Sequence, residues 1–129
     1  MIRFAAIADV HGNYLTLEAV MADIRAQGIE QRLILCGHTH IARAVRLADG
    51  RMVVNPGSVG SPGYRDTHPF PHVIEAGTPD ARYAILELAD GSWRVTFRHV
   101  PYDHEAMAAL ARQNGQLELA SALATGWIR

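Results

Sequence analysis

The chain opens on a short apolar run, Ile2 to Ala8, closed by Asp9 and turn-forming residues, which is the pattern of a buried strand. Leu17, Val20, Met21 and Ile24 then recur at the spacing of one helical face. Asn13 is placed to cap that helix and Gly28 to end it. Leu33 to Cys36 reads as a second short buried strand and runs into Gly37-His38-Thr39-His40. Alternating runs predict two hairpins: Arg43–Ala48 with Arg51–Asn55 around Asp49-Gly50, and Tyr83–Ala89 with Ser92–Val100 around Asp90-Gly91. In such turns both the Asp and the Gly are expected at positive φ. Pro56 to Ala81 holds five of the six prolines and predicts one long loop. Asp103 caps a helix running to about Arg112, and a further helix spans about Leu117 to Ala124. Trp93, Val95 and Phe97 share one strand face and are expected in the core, with His99 and His104 as structural histidines.

A β–α–β start followed by antiparallel hairpins predicts a mixed arrangement, α/β to α+β. The length, 129 residues, fits a single domain spanning residues 1–129. With 49% apolar and 19% charged residues the composition is that of a globular protein and excludes collagen-like or disordered readings. The formal net charge is −1, and the twelve basic residues, all Arg, form no stripe. Generic nucleic-acid binding therefore has no electrostatic footprint. Cys36 is the lone cysteine, which rules out an internal disulfide and fits a reducing compartment. The first apolar run is too short for a signal-peptide core or membrane span, so a soluble cytoplasmic chain with no membrane partner is expected.

Seven histidines are the compositional oddity. Asp9-x-His11 and His38-x-His40 each follow a predicted buried strand, where open α/β sheets place ligands. In extended backbone, residues i and i+2 point the same way, so each pair could reach one ion. A carboxylate with two or three imidazoles suits Mn, Fe, Zn, Ni or Co rather than Ca or Mg. Either pair alone could equally be a turn that caps its strand.

Ile7-Ala8-Asp9-Val10-His11-Gly12-Asn13, Cys36-Gly37-His38-Thr39-His40-Ile41 and Val54-Asn55-Pro56-Gly57-Ser58-Val59-Gly60 together resemble the calcineurin-like metallophosphoesterase superfamily. The similarity is greatest to its small bacterial and archaeal phosphodiesterase branch. It continues through Ala81-Arg82-Tyr83-Ala84-Ile85-Leu86 and Arg98-His99-Val100-Pro101-Tyr102-Asp103. The resemblance implies a β-sandwich flanked by helices, and hydrolysis of phosphodiesters or phosphomonoesters by a metal-activated water. It implies Asp9, His11 and His40 as ligands of a first metal and His38 of a second. Asn55, Gly57 and Ser58 would lie against the substrate phosphate. The same superfamily includes the retromer scaffold subunit, so a non-catalytic metal-binding or protein-interaction module is the alternative reading.

The family also carries a Gly-Asp motif, a Gly-Asn-His-Asp motif and a further ligand histidine before its Gly-His-Thr-His strand. Here Gly28-Ile29-Glu30-Gln31-Arg32 leads straight to Leu33, and no Gly-Asp or Asn-His pair occurs. The expected domain is thus a truncated metallophosphoesterase fold that holds one divalent ion per chain more readily than two, in a 2-His-1-carboxylate site. The segment Arg65-Asp66-Thr67-His68-Pro69-Phe70-Pro71-His72 offers replacements. Arg65 would hold the phosphate, while His68 or His72 would act as general acid or second-metal ligand, and Tyr64 would contact a substrate base. Loss of covering strands predicts a homodimer, with elements exchanged between copies as one route to it.

Overall fold

The computed structural model describes residue 5, residues 14–29 and residues 33–129. The first predicted strand, Asp9, His11 and the Asn13 cap lie outside the described residues. The described chain runs α1 (Tyr14–Ala26), β1 (Leu33–Leu35), β2 (Arg43–Arg46), β3 (Met52–Asn55), β4 (Gly63–Asp66), β5 (His72–Glu75), β6 (Ala81–Ala89), β7 (Ser92–Val100), α2 (His104–Gln113) and α3 (Leu117–Thr125). This is a mixed α/β protein.

Helix α1 turns Leu17, Met21 and Ile24 to its least exposed side. It ends as the sequence predicts: Gly28 adopts a left-handed φ of 69°, and the Ile29 amide reaches back to the Ile24 carbonyl at 3.3 Å. Strands β1, β3 and β2 form one sheet, β3 in the middle, parallel to β1 and antiparallel to β2. Val54 at its centre is fully buried. Hairpin β6–β7 pairs all nine residues of each strand, from Ala81 opposite Val100 to Ala89 opposite Ser92. Trp93, Val95 and Phe97 share a face with Leu88, Leu86 and Ala84 opposite them; this face is half-buried except at Leu88, which is exposed, rather than the full core expected. Helices α2 and α3 pack through Ala108, Ala111, Ala120 and Leu123, where three alanines let the backbones approach closely. The Asp103 carboxylate accepts from the Ala106 amide, as its place before α2 predicts.

Two expectations from the sequence are corrected. The Pro-rich stretch contains hairpin β4–β5, with Gly63 opposite Glu75 and Asp66 opposite His72. Short alternation in Gly63–Asp66 and His72–Glu75 suffices for pairing because the prolines fall outside both strands; Pro69, after a cis bond, lies in the connection. The Asp49-Gly50 turn is also of another kind. Only Gly50 has positive φ, 85°, and its amide bonds the Leu47 carbonyl while the Leu47 amide bonds the Arg51 carbonyl. This matches a type I turn closed by a left-handed glycine, whereas Asp90 and Gly91, at 51° and 73°, make the double positive-φ turn predicted.

Candidate functional site

Because β1 and β3 are parallel neighbours, the loops that follow them leave the same end of the sheet. The Cys36 amide extends the pairing to the Val54 carbonyl at 2.9 Å, and the chain then bends sharply, with the Thr39 amide on the Gly37 carbonyl at 2.9 Å. His38 and His40 both have left-handed backbone, φ 69° and 58°. The extended i, i+2 geometry expected for this pair is therefore replaced by a tight bend.

Asn55 ends β3 and is 6% exposed. Its amide nitrogen donates to the Gly37 carbonyl at 3.1 Å and to Thr39 Oγ1 at 2.8 Å. Its Oδ1 accepts from the Gly57 amide at 3.0 Å. Both donors and the acceptor thus staple the histidine loop to the Asn55–Ser61 loop. Within the second loop, Ser58 Oγ accepts from the Ser61 amide at 3.0 Å. Gly57, at φ 89°, lies so close over Arg82 that an added Cβ would sit 3.2 Å from that side chain's Cβ and Cδ.

His40 Nδ1 lies 2.9 Å from the Ser61 carbonyl. A carbonyl only accepts, so Nδ1 carries the proton and Nε2 of the neutral ring keeps its lone pair. Tyr64 joins both histidines: its hydroxyl donates to the His38 carbonyl at 3.1 Å, and its ring stands edge-on to His40 at 4.8 Å and tilted to His38 at 6.2 Å. The β4–β5 register places Tyr64 and His72 on one face, their rings 6.1 Å apart. His72 Nδ1 donates to the Phe70 carbonyl at 2.8 Å, and the Phe70 ring is 5.9 Å from His72.

The structure thus brings together His38, His40, Asn55, Gly57, Ser58, Tyr64 and His72. Arg65 faces the other side of β4, where its Nε pairs with Glu118 of α3 at 3.0 Å. His68 lies in the β4–β5 connection, its Nδ1 3.2 Å from Thr67 Oγ1. Asp66 orders that connection by accepting from the Thr67 and His68 amides, and these bonds, the His68 amide first, hold its carboxyl below the ordinary value. His99 is exposed on β7 and His104 begins α2. Among the described residues no group of three or more His, Cys, Asp or Glu side chains could hold a metal ion, and none of their helices is long and apolar enough to cross a membrane.

Sequence reasoning missed Arg82. This residue is 7% exposed. Its Nη2 donates to the Ala76 carbonyl at 2.9 Å, and its backbone amide donates to the Ser58 carbonyl at 3.1 Å. Its side chain therefore forms the floor of the Gly57 loop. The available signal was parity: Arg82 has the same strand parity as Ala84 and Leu86, an inward position for a charged residue.

Two loops from parallel strand ends, one carrying imidazoles and the other a clamped Asn-Pro-Gly-Ser turn, thus lie side by side at one end of the sheet. The family model of the calcineurin-like phosphoesterase superfamily domain matches residues 3–91. The chain belongs to that superfamily, whose members generally bind divalent metals and are usually hydrolytic. Among solved structures, a Vps29 double mutant from Entamoeba histolytica is 20% identical, with 66% of this chain and 47% of that one covered at a TM-score of 0.25. Wild-type Vps29 from the same organism, complexed with zinc, is 21% identical over 64% and 46% of the two chains, TM-score 0.25. Vacuolar Protein Sorting 29 from Cryptosporidium parvum is 17% identical over 66% and 44%, TM-score 0.24. The chain spans about half the length of these structures. No curated protein matches it.

Proposed function

We propose that the chain hydrolyses phosphoesters, diesters or simple monoesters, with one divalent transition-metal ion held by Asp9, His11 and His40 and with His38 beside it. The observation that carries this reading is the pair of left-handed histidines. Such backbone costs roughly 1–3 kcal/mol per residue and gathers at functional sites when the surroundings enforce it. Here Asn55, Tyr64 and the Ser61 carbonyl enforce it. The fit to a metal rests on His40, whose Nδ1–H is spent on a carbonyl while Nε2 remains to ligate, the usual arrangement of a ligating imidazole.

An ion of the Mn, Fe, Zn, Ni or Co group would supply Lewis-acid polarisation of the phosphoryl oxygen and a lowered pKa for its water. The rest falls to the chain. Asn55 fixes the spacing of the two loops, and the Gly57–Ser58 turn, with Arg82 beneath it, offers its backbone to the phosphate. Hydrolysis forms one P–O bond from the attacking water, which loses a proton to solvent, and breaks the ester P–O bond, whose departing oxygen takes a proton. His72, on the Tyr64 face of β4–β5, would deliver that proton from Nε2. The small bacterial and archaeal phosphodiesterase branch, a cytoplasmic setting and a homodimer complete the proposal. Sedimentation equilibrium at micromolar concentration tests the last.

The decisive experiment is hydrolysis of bis-p-nitrophenyl phosphate with added Mn²⁺, comparing the chain with His40→Ala. Turnover in the parent that drops to background in the variant is the expected result. Equal background in both would overturn catalysis and favour the non-catalytic scaffold.

A further inference from the structure

The rings beside the candidate metal site form a continuous series. From His40 the steps run to Tyr64 at 4.8 Å, to His72 at 6.1 Å and to Phe70 at 5.9 Å, each in edge-type contact. Burial falls along the same path: Tyr64 and His72 are half-buried, while Phe70 is 66% exposed. The series is not a core, since its last and largest apolar ring ends in solvent. Nor is it loosely placed. Tyr64 and His72 are fixed by the β4–β5 register, the Tyr64 hydroxyl is tied to His38, and the Phe70 carbonyl is tied to His72 Nδ1. Each T-shaped contact sets the rim of one ring against a face of the next, so Phe70, which makes one such contact, keeps at least one face for a flat ligand, and sequence-tolerant platforms bind bases on such faces.

We propose that Phe70, with His72 and Tyr64, is a stacking platform for a planar aromatic group on the substrate, which makes the preferred substrates aryl or nucleoside phosphoesters. This rests on the phosphoesterase reading and deepens it. The platform begins at His40, so a phosphate at the site would direct its planar substituent along β4–β5. Arg65, on the opposite strand face and paired with Glu118, takes no part in it. Phe70 is the specificity-determining residue because it contributes the most exposed ring.

The test uses two diesters with one leaving group, thymidine 5′-(p-nitrophenyl) phosphate and methyl p-nitrophenyl phosphate, both with Mn²⁺. The nucleoside ester should show the higher kcat/KM, mainly through KM. That preference should fall roughly tenfold in Phe70→Ala, the scale of one lost base–aromatic stack, and return in Phe70→Tyr. A preference that is absent, or that survives Phe70→Ala, overturns the platform while leaving hydrolysis intact. If neither ester turns over, calorimetric binding of thymidine 5′-monophosphate against inorganic phosphate decides. Tighter nucleotide binding that is lost in Phe70→Ala keeps the platform and removes catalysis, and equal or absent binding removes the platform as well.

Discussion

His38 and His40 occupy backbone that an L-residue adopts only when something holds it there, and the holding falls largely to Asn55. Its side chain is buried and completely used, so truncation leaves the Gly37 carbonyl and the Gly57 amide without that partner. Leaving such a group unpaired costs about 1–3 kcal/mol when it is buried and less where water reaches it, and here Gly37 is exposed and Gly57 half-buried. Asn55→Ala is therefore expected to destabilise the protein by about 1–2 kcal/mol in urea unfolding, and to weaken Mn²⁺ binding because His40 loses its fixed pose. A change below about 0.5 kcal/mol, the size of an ordinary surface substitution, would show that the loops hold each other without it. That His38, His40 and the Asn55–Ser58 turn lie together was legible in the sequence, because both motifs directly follow strands whose ends the fold sets side by side. Their conformations were not. Nothing in Gly37-His38-Thr39-His40 distinguishes an extended pair from a bend, since that choice is made by Asn55 and Tyr64, which approach from other strands.

At the scale of elements, caps and turns were the readable signals. Asp103 before α2, Gly28 after α1 and Asp90-Gly91 between β6 and β7 act through neighbours a few residues away, so local sequence suffices. Hairpin β4–β5 escaped because proline density suggests a loop, whereas its strands are specified by each other and by α3, through Arg65 and Glu118. Gly126 shows the same division. It ends α3 at φ 82°, as a left-handed cap should, and Gly115 after α2 has φ 72°. Their surroundings differ sharply. An added Cβ at Gly115 meets open space, while at Gly126 it falls 2.2 Å from the Thr78 backbone nitrogen, beside the bond from the Gly77 amide to the Gly126 carbonyl at 3.0 Å. Gly115→Ala should cost only the left-handed penalty, about 1–2 kcal/mol. Gly126→Ala should cost at least about twice that, because the Gly77–Thr78 backbone must move as well. Thermal unfolding of the pair checks the ordering, and equal losses would mean that the C-terminal segment does not bear on that turn.

For the whole molecule, the β1–β3 adjacency sets the two site loops side by side, and Arg82 ties the second loop to the β6–β7 hairpin. In the proposed site one ion would then bridge Asp9 and His11 to His40, residues from separate segments of the chain. A ligand that binds only such an assembled state stabilises it by about 2.7 kcal/mol at one hundred times its dissociation constant. For a chain of this length that is a rise in melting temperature of roughly 10 °C. The rise should depend on Mn²⁺ concentration, reverse with a chelator and disappear in Asp9→Ala and His40→Ala alike. Loss in both variants would place the two residues on one ion even if no substrate is ever turned over. A rise that survives His40→Ala would put the ion elsewhere and separate the left-handed histidines from metal binding. Their enforced backbone would then need another ligand to explain it, with the Tyr64–His72–Phe70 rings the nearest feature able to receive one.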